Sequence, residues 1–178
     1  MDAFETDRLR LRPFTMDDAE ALFEVFRLPE VARWSGTGTA MTDVSEARAR
    51  IERWSTRAGS HPAAGVFAVE RLDTGVVIGA ALLVPLPPSD GAEGHDHEVG
   101  WHLHPDAWGH GFATEAASAL LARAFAAGMT EVFAVTDPDN VRSQAVCGRL
   151  GMEPLGLTSR WYDRELAAFR KTADRVIG

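Results

Sequence analysis

The sequence predicts a mixed α/β sheet, and three observations carry that expectation. The first half is dominated by alternating apolar segments, the middle runs strand–helix–strand–helix, and the end returns to strands. A chain of 178 residues suits one domain with a substantial core. Neither an internal repeat nor a linker interrupts the order, so 1–178 reads as a single domain.

Leu9 and Leu11 alternate with Arg8, Arg10 and Arg12, which predicts a half-buried strand over 7–13 that Pro13 ends. Thr15 and Asp18 resemble a capping box with Asp in place of Glu. Ala19, Leu22, Phe23 and Phe26 then fall on one face of a helix that Pro29 closes. A second helix starts near Thr42 or Asp43, with Val44, Ala47, Ile51 and Trp54 on its apolar side. "GVFAVER" and "VVIGAALLV" read as two strands of a hairpin turning at "LDTG". The polar, Pro- and Gly-rich stretch 85–97 is expected to be a mobile loop, and "HEVGWHLHP" a strand. An Ala- and Leu-rich helix follows over 112–127, then a buried strand over 131–136. Asn140 caps a helix that runs to Leu150 and stops at Gly151, and two further strands are expected at 153–158 and 165–171.

Composition narrows the function. Hydrophobic residues make up 46% and charged residues 25%, as in ordinary globular proteins. No apolar run approaches the ~18 residues of a membrane span, and "MDAFETDRLR" lacks the apolar core of a signal peptide, so a cytoplasmic location and no membrane partner are expected. The lone Cys147 excludes a disulfide framework and a cysteine-built zinc site. A net charge of −8 argues against nucleic acid and suits a cationic partner such as an amine. His95, Asp96, His97, His102, His104 and His110 crowd one region, and His102 and His104 would share a ligand face with Glu98. Nothing supplies a second shell, and no metal is expected.

The segment "HPDAWGHGFATEA" over 104–116 joins a strand to a helix and places Gly109 and Gly111 just before the helix begins. Two readings are open. Glycine serves a tight turn, or it leaves a helix N-terminus bare so that an anion reaches amides that have no intrahelical partner. No Gly-Lys-Ser/Thr follows, which excludes a Walker loop. Thr114 at the third glycine position, and a place after the fourth expected strand, disfavour a dinucleotide fingerprint and with it a nicotinamide enzyme.

Four blocks, "TDRLRLRPFTMDDAEAL", "HEVGWHLHPDAWGHGFATEA", "NVRSQAVCGRLGM" and "WYDRELAAF", resemble in order and spacing a GNAT-superfamily N-acetyltransferase of the branch that acetylates N-termini of ribosomal proteins. The resemblance implies antiparallel N-terminal strands and a central parallel pair, around Trp101 and Val135, that splays to admit the pantetheine arm of acetyl-coenzyme A. It implies a coenzyme site formed by His104, Trp108, Gly109, His110, Gly111, Phe112, Ala113, Thr114, Asn140 and Ser143. Trp34, Trp101 and Trp161 would flank the amine, with core packing as the competing reading for each tryptophan. The superfamily usually carries Gln or Arg where this chain has Asp106, but the loop works through backbone N–H groups.

The implied reaction is direct attack of a neutral amine on the thioester, which needs a proton acceptor and help for the leaving thiolate. Glu98 is the candidate acceptor, directly or through water, and orienting the preceding loop is its alternative role. Strict alternation puts Glu98, Gly100, His102 and His104 on one strand face, unless the bulge common in the family breaks the register. Many relatives have a tyrosine acid seven residues after the Asn, where this chain has Cys147. A thiol of reference pKa ~8.5 is one proton donor, but a small buried apolar residue is the other reading of Cys147, and the acid role passes to Ser143. The expected acceptor is a primary amine, a protein N-terminus or a small molecule, and a homodimer stays open. The competing class is a coenzyme-binding sensor without turnover.

Overall fold

A computed structural model describes residues 2–36, 38–56, 61–91 and 94–173. Its strands are β1 (Phe4–Glu5), β2 (Leu9–Pro13), β3 (Gly65–Arg71), β4 (Val77–Pro85), β5 (His97–Leu103), β6 (Glu131–Thr136), β7 (Glu153–Thr158) and β8 (Leu166–Thr172). They form one eight-stranded sheet in the order β1-β2-β3-β4-β5-β6-β8-β7. Neighbours are antiparallel except β5 and β6, which are parallel. The mixed α/β architecture expected from the sequence is therefore present.

The helices are α1 (Ala19–Phe26), α2 (Pro29–Ala32), α3 (Val44–Thr56), α4 (Phe112–Ala126) and α5 (Val141–Arg149). Leu22, Val25 and Phe26 of α1 close over Ala47 and Ile51 of α3 in one apolar layer. On the other side, Ala116, Ala117 and Leu120 of α4 pack on Leu9, Leu11, Phe67, Leu83 and Val99 of the sheet. The central strands are thus covered on both faces, which is why β3 and β4 read as nearly continuous apolar runs.

Several local signals act as their chemistry predicts. Asp18 Oδ2 accepts from Thr15 N at 2.8 Å, completing the capping box, and Arg12 grips the same carboxylate with two bonds of 2.8 Å. Pro29 ends the first helical pattern and also opens α2, because the first helical position tolerates its missing N–H. β1 shows no alternation in the sequence, being only two residues long. The loop between β4 and β5 carries a short turn at Ser89–Gly91 and a bridge from Pro88 to Trp161. Residues 92 and 93 of the expected mobile stretch lie outside the described residues.

Two features shape the site. The β4–β5 register runs without a shift from Gly79↔Leu103 to Pro85↔His97, so the family's bulge is absent from β5 and strict alternation holds. Accordingly, the His102 ring lies 5.3 Å from that of Phe26 on the α1 side, while Val99, Trp101 and Leu103 belong to the α4-side layer. Gly79 permits the tight β4–β5 approach, since a Cβ there would stand 2.2 Å from the His102 carbonyl oxygen. The second feature is the gap. β5 and β6 are in register only at Glu98↔Phe133, and beyond that pair they part.

Candidate active site

At the open end of the gap, His104 begins a short turn over Pro105–Ala107, and Trp108 Nε1 donates to the Leu103 carbonyl at 2.8 Å. Gly109 and Gly111 follow at φ 79° and 82°, a left-handed backbone that strains any residue with a Cβ. The first main-chain bond of α4 is Glu115 N to Gly111 O, 3.0 Å. Among the described residues, the amides of 109–114 donate no hydrogen bond. A run of free amides at a helix N-terminus is an anion site by geometry and by dipole.

The loop is braced from behind. Arg8 donates to the His110 carbonyl at 3.0 Å and to Glu115 at 2.7 Å, and its guanidinium sits 4.7 Å from the Phe112 ring centre. Glu115 also accepts from Thr6 Oγ1 at 2.6 Å and from Arg8 N at 2.9 Å. Burial alone would raise the Glu115 carboxyl, but the bonds from Thr6 and Arg8 hold it below the usual carboxylate range. With one carbonyl tied to Arg8 and the helix start tied to Glu115, the free amides keep a fixed orientation.

A largely apolar cleft of about 730 Å³ extends from this loop. Trp108, Gly109, Gly111, Phe112, Ala113 and Thr114 line one wall, and Asn140 and Ser143 line another. Trp101 and His102 on β5 and Trp34, in the turn just after α2, reach it as well. Asn140 is 7% exposed and caps α5, its Oδ1 accepting from Ser143 N at 3.2 Å. The Ser143 hydroxyl makes no hydrogen bond among the described residues, so it is available to a ligand.

Sequence reasoning missed Arg142 and Arg149, both cleft residues on α5. Arg142 stacks 4.7 Å from the Trp108 ring centre, and Arg149 Nε donates to Thr114 Oγ1 at 3.3 Å. They put two cations beside the free amides of an otherwise acidic chain. Their spacing, two helical turns apart on one face, was the available signal.

Other candidates lie elsewhere. The side chains of His104 and His110 do not line the cleft, and His104 Nδ1 accepts from Asp106 N at 3.2 Å. Trp161 is 2% exposed, packs 5.0 Å from the Phe133 ring and donates to Asp96, so it is a core residue away from the cleft. Glu98 is buried on β5, also off the cleft lining, and accepts a hydrogen bond from the Tyr162 hydroxyl. Cys147 is buried in the α4-side layer, and burial pushes its thiol up to about 12, too weak an acid to protonate a thiolate at neutral pH. Among the described residues, no three His, Cys, Asp or Glu side chains converge as metal ligands.

His102 gives a pH prediction. Burial, reinforced by the nearby charge of Arg50, lowers it from 6.5 to about 4, so it is neutral in the folded protein at pH 7. Below pH 6.5 the unfolded chain takes up a proton that the folded chain refuses until about pH 4. Stability therefore falls as pH drops through that window, by up to about 3 kcal/mol and by less where the ring's cleft side stays solvated. Urea denaturation at pH 7 and pH 4.5 should show His102→Gln losing less stability on acidification than the wild type. Equal losses would contradict a neutral His102 imidazole in the folded protein.

Residues 8–153 match the acetyltransferase (GNAT) domain family. The chain belongs to the GNAT acetyltransferases. The Bacillus subtilis (strain 168) protein called uncharacterized N-acetyltransferase YoaA is 32% identical over 160 residues, covering 88% of this chain and 86% of its own. Among solved structures, an acetyltransferase from Agrobacterium tumefaciens str. C58 is 26% identical with a TM-score of 0.75, covering 97% of this chain and 95% of its own. The ribosomal L7/L12 α-N-protein acetyltransferase RimL, solved with coenzyme A, superposes with a TM-score of 0.78 at 15% identity. It covers 97% of this chain and 99% of its own and shows that the fold is shared. This GNAT protein is thus an N-acetyltransferase by family, with the splayed parallel pair that its sequence blocks implied. No helix among its described residues is long and apolar enough to cross a membrane.

Proposed function

We propose that the cleft binds acetyl-coenzyme A and that this GNAT protein transfers the acetyl group to a primary amine. The observation that carries this reading is the run of free amides over 109–114 at the mouth of a gap between two parallel strands. A pyrophosphate fits those amides, with Arg142 and Arg149 beside it. The pantetheine arm fits the gap, where β5 past Glu98 has no partner on its β6 side. Asn140 lies along that path, and the Ser143 hydroxyl serves as proton donor to the departing thiolate. Bound acetyl-coenzyme A supplies the activated acetyl carbon that the amine attacks. The amine enters from the α2 side, past Glu30 and Trp34, and Glu98 takes up its proton through ordered water, since Glu98 does not line the cleft.

Asn140 and Ser143 separate kinetically under this reading. Asn140→Ala is expected to raise the KM for acetyl-coenzyme A, and Ser143→Ala to lower kcat at near-constant KM. Steady-state rates over a coenzyme titration check both. A Ser143→Ala enzyme with unchanged kcat, where chemistry limits the rate, would remove Ser143 from the proton-donor role.

Cys147 favours a second reading, because the position that holds a tyrosine acid in many relatives is here a buried, undissociated thiol. A sensor that binds the coenzyme without turnover needs no acid. Thiol release measured over a panel of α-amines, alkyl amines and aminoglycosides tests the two. Amine-dependent release supports transfer, while coenzyme binding with release only at the amine-free rate supports the sensor.

A further inference from the structure

The only tyrosine of the chain, Tyr162, lies in the turn between β7 and β8 with its backbone at φ 62°, followed by Asp163 at φ 51°. Two consecutive non-glycine residues in the left-handed region are strained and persist only where surrounding structure over-determines them. Here the neighbouring loop does so. Ser89 N donates to the Arg160 carbonyl at 2.7 Å, and Ser89 Oγ to the Ser159 carbonyl at 2.7 Å. Tyr162 N donates to the Pro87 carbonyl at 3.2 Å, Asp163 N to Ser89 Oγ at 3.1 Å, and Asp90 N to Asp163 Oδ1 at 3.1 Å. Trp161 Nε1 adds a bond to Asp96 Oδ2 at 3.1 Å, tying the turn to the residue before β5. This clasp carries the Tyr162 side chain to Glu98, and its hydroxyl donates to Glu98 Oε1.

We propose that Tyr162 is a positioning residue for Glu98, fixing the carboxylate at the point where β5 and β6 begin to part. The inference rests on the assignment of Glu98 as proton acceptor in the proposed transfer. The geometry supports it in three ways. Glu98 is buried at the one register pair that closes the gap, so its orientation decides which side of the gap it serves. The strands on either side present Val84 and Phe133 opposite it, and neither can orient a carboxylate. A hydroxyl donor to a buried carboxylate also offsets part of the cost of burying its charge. Three nearby titratable groups, Asp96, Asp163 and His97, have contacts of their own. Asp96 accepts from Trp161 and Arg160, Asp163 holds Asp90 N, and the His97 ring packs 5.6 Å from that of His61.

Tyr162→Phe tests the proposal because it keeps the ring and removes only the hydroxyl. Carbon-detected NMR of the Glu98 side-chain carboxyl reads the coupling without any turnover. The midpoint of its titration is expected to move up in the variant, as follows from the loss of a hydrogen bond to a charged group. In the amine assay, kcat is expected to fall about tenfold with the KM for acetyl-coenzyme A unchanged. The double variant Tyr162→Phe/Glu98→Gln should be no slower than Glu98→Gln alone, because Tyr162 acts through Glu98. An unmoved carboxyl midpoint overturns the proposal, as does an additive loss in the double variant. A full-rate Tyr162→Phe beside an impaired Glu98→Gln overturns this inference alone, and full-rate Glu98→Gln removes the underlying assignment of Glu98.

Discussion

Gly111→Val is expected to weaken acetyl-coenzyme A binding by about a hundredfold or more while leaving the sheet intact. At φ 82°, a β-branched side chain strains the backbone that aims the free amides, and its two methyl groups intrude on the space a pyrophosphate would use. Each amide contact to an anion is worth roughly 0.3–2 kcal/mol, so the loss of two or three amounts to about 3 kcal/mol, and every 1.4 kcal/mol is a factor of ten. The fold should survive. A Cβ at Gly111 would find only Arg8 Nη2 at 3.5 Å, an ordinary contact with a flexible side chain. Isothermal titration with acetyl-coenzyme A measures the effect, and circular dichroism confirms folding. Near-wild-type affinity in a folded variant would separate the glycine loop from coenzyme binding.

Glu98→Gln is expected to lower kcat/KM by about 10²-fold at pH 7, the usual size of a lost general base. The size of the deficit should depend on the amine and on pH. A protein N-terminus of reference pKa ~7.7–8.0 is roughly one-tenth neutral at pH 7, whereas a lysine-like amine of ~10.4 is neutral less than one time in a thousand. The second amine therefore carries about 3 kcal/mol of extra deprotonation cost, which suits Glu98 better to a weakly basic α-amine. As pH rises past 8, more α-amine is already neutral, and the gap between wild type and variant should shrink. Rates measured from pH 6 to 9.5, with chemistry limiting, check this. A deficit constant over that range would make Glu98 a structural residue.

The legible part of this protein was whatever local chemistry determines. β3 and β6 were readable to the residue, because their apolar runs are bounded by turn residues whose preferences are strong, and β7 was read to the same bounds even though Pro154 and Gly156 lie inside it. The glycine loop was legible for the same reason, since Gly109 and Gly111 occupy a backbone that other residues avoid. Contacts between distant segments were not legible. Glu115 bonds to Thr6 and Arg8 across more than a hundred residues, and no local pattern announces it. Tyr162 meets Glu98 through a turn whose φ values a non-glycine sequence does not suggest. Trp161 carried two readings, a residue flanking the amine by resemblance or a core residue, and the Pro88 bridge fixes the second by drawing it into the core. Arg142 and Arg149 were overlooked because a charge on a helix usually means a solvated face, and only the packing of α5 against α4 turns them to the cleft.

The central claim is that the amides of 109–114 hold the coenzyme's pyrophosphate at the mouth of the β5–β6 gap. Amide NMR of the ¹⁵N-labelled protein during an acetyl-coenzyme A titration tests it most directly, because these N–H groups have no protein partner to mask a new bond. The account predicts large downfield shifts at Gly109 and Gly111 that saturate with the binding isotherm and are reproduced by coenzyme A, which keeps the pyrophosphate without the acetyl group. Saturable binding that leaves those two amides unmoved would contradict it.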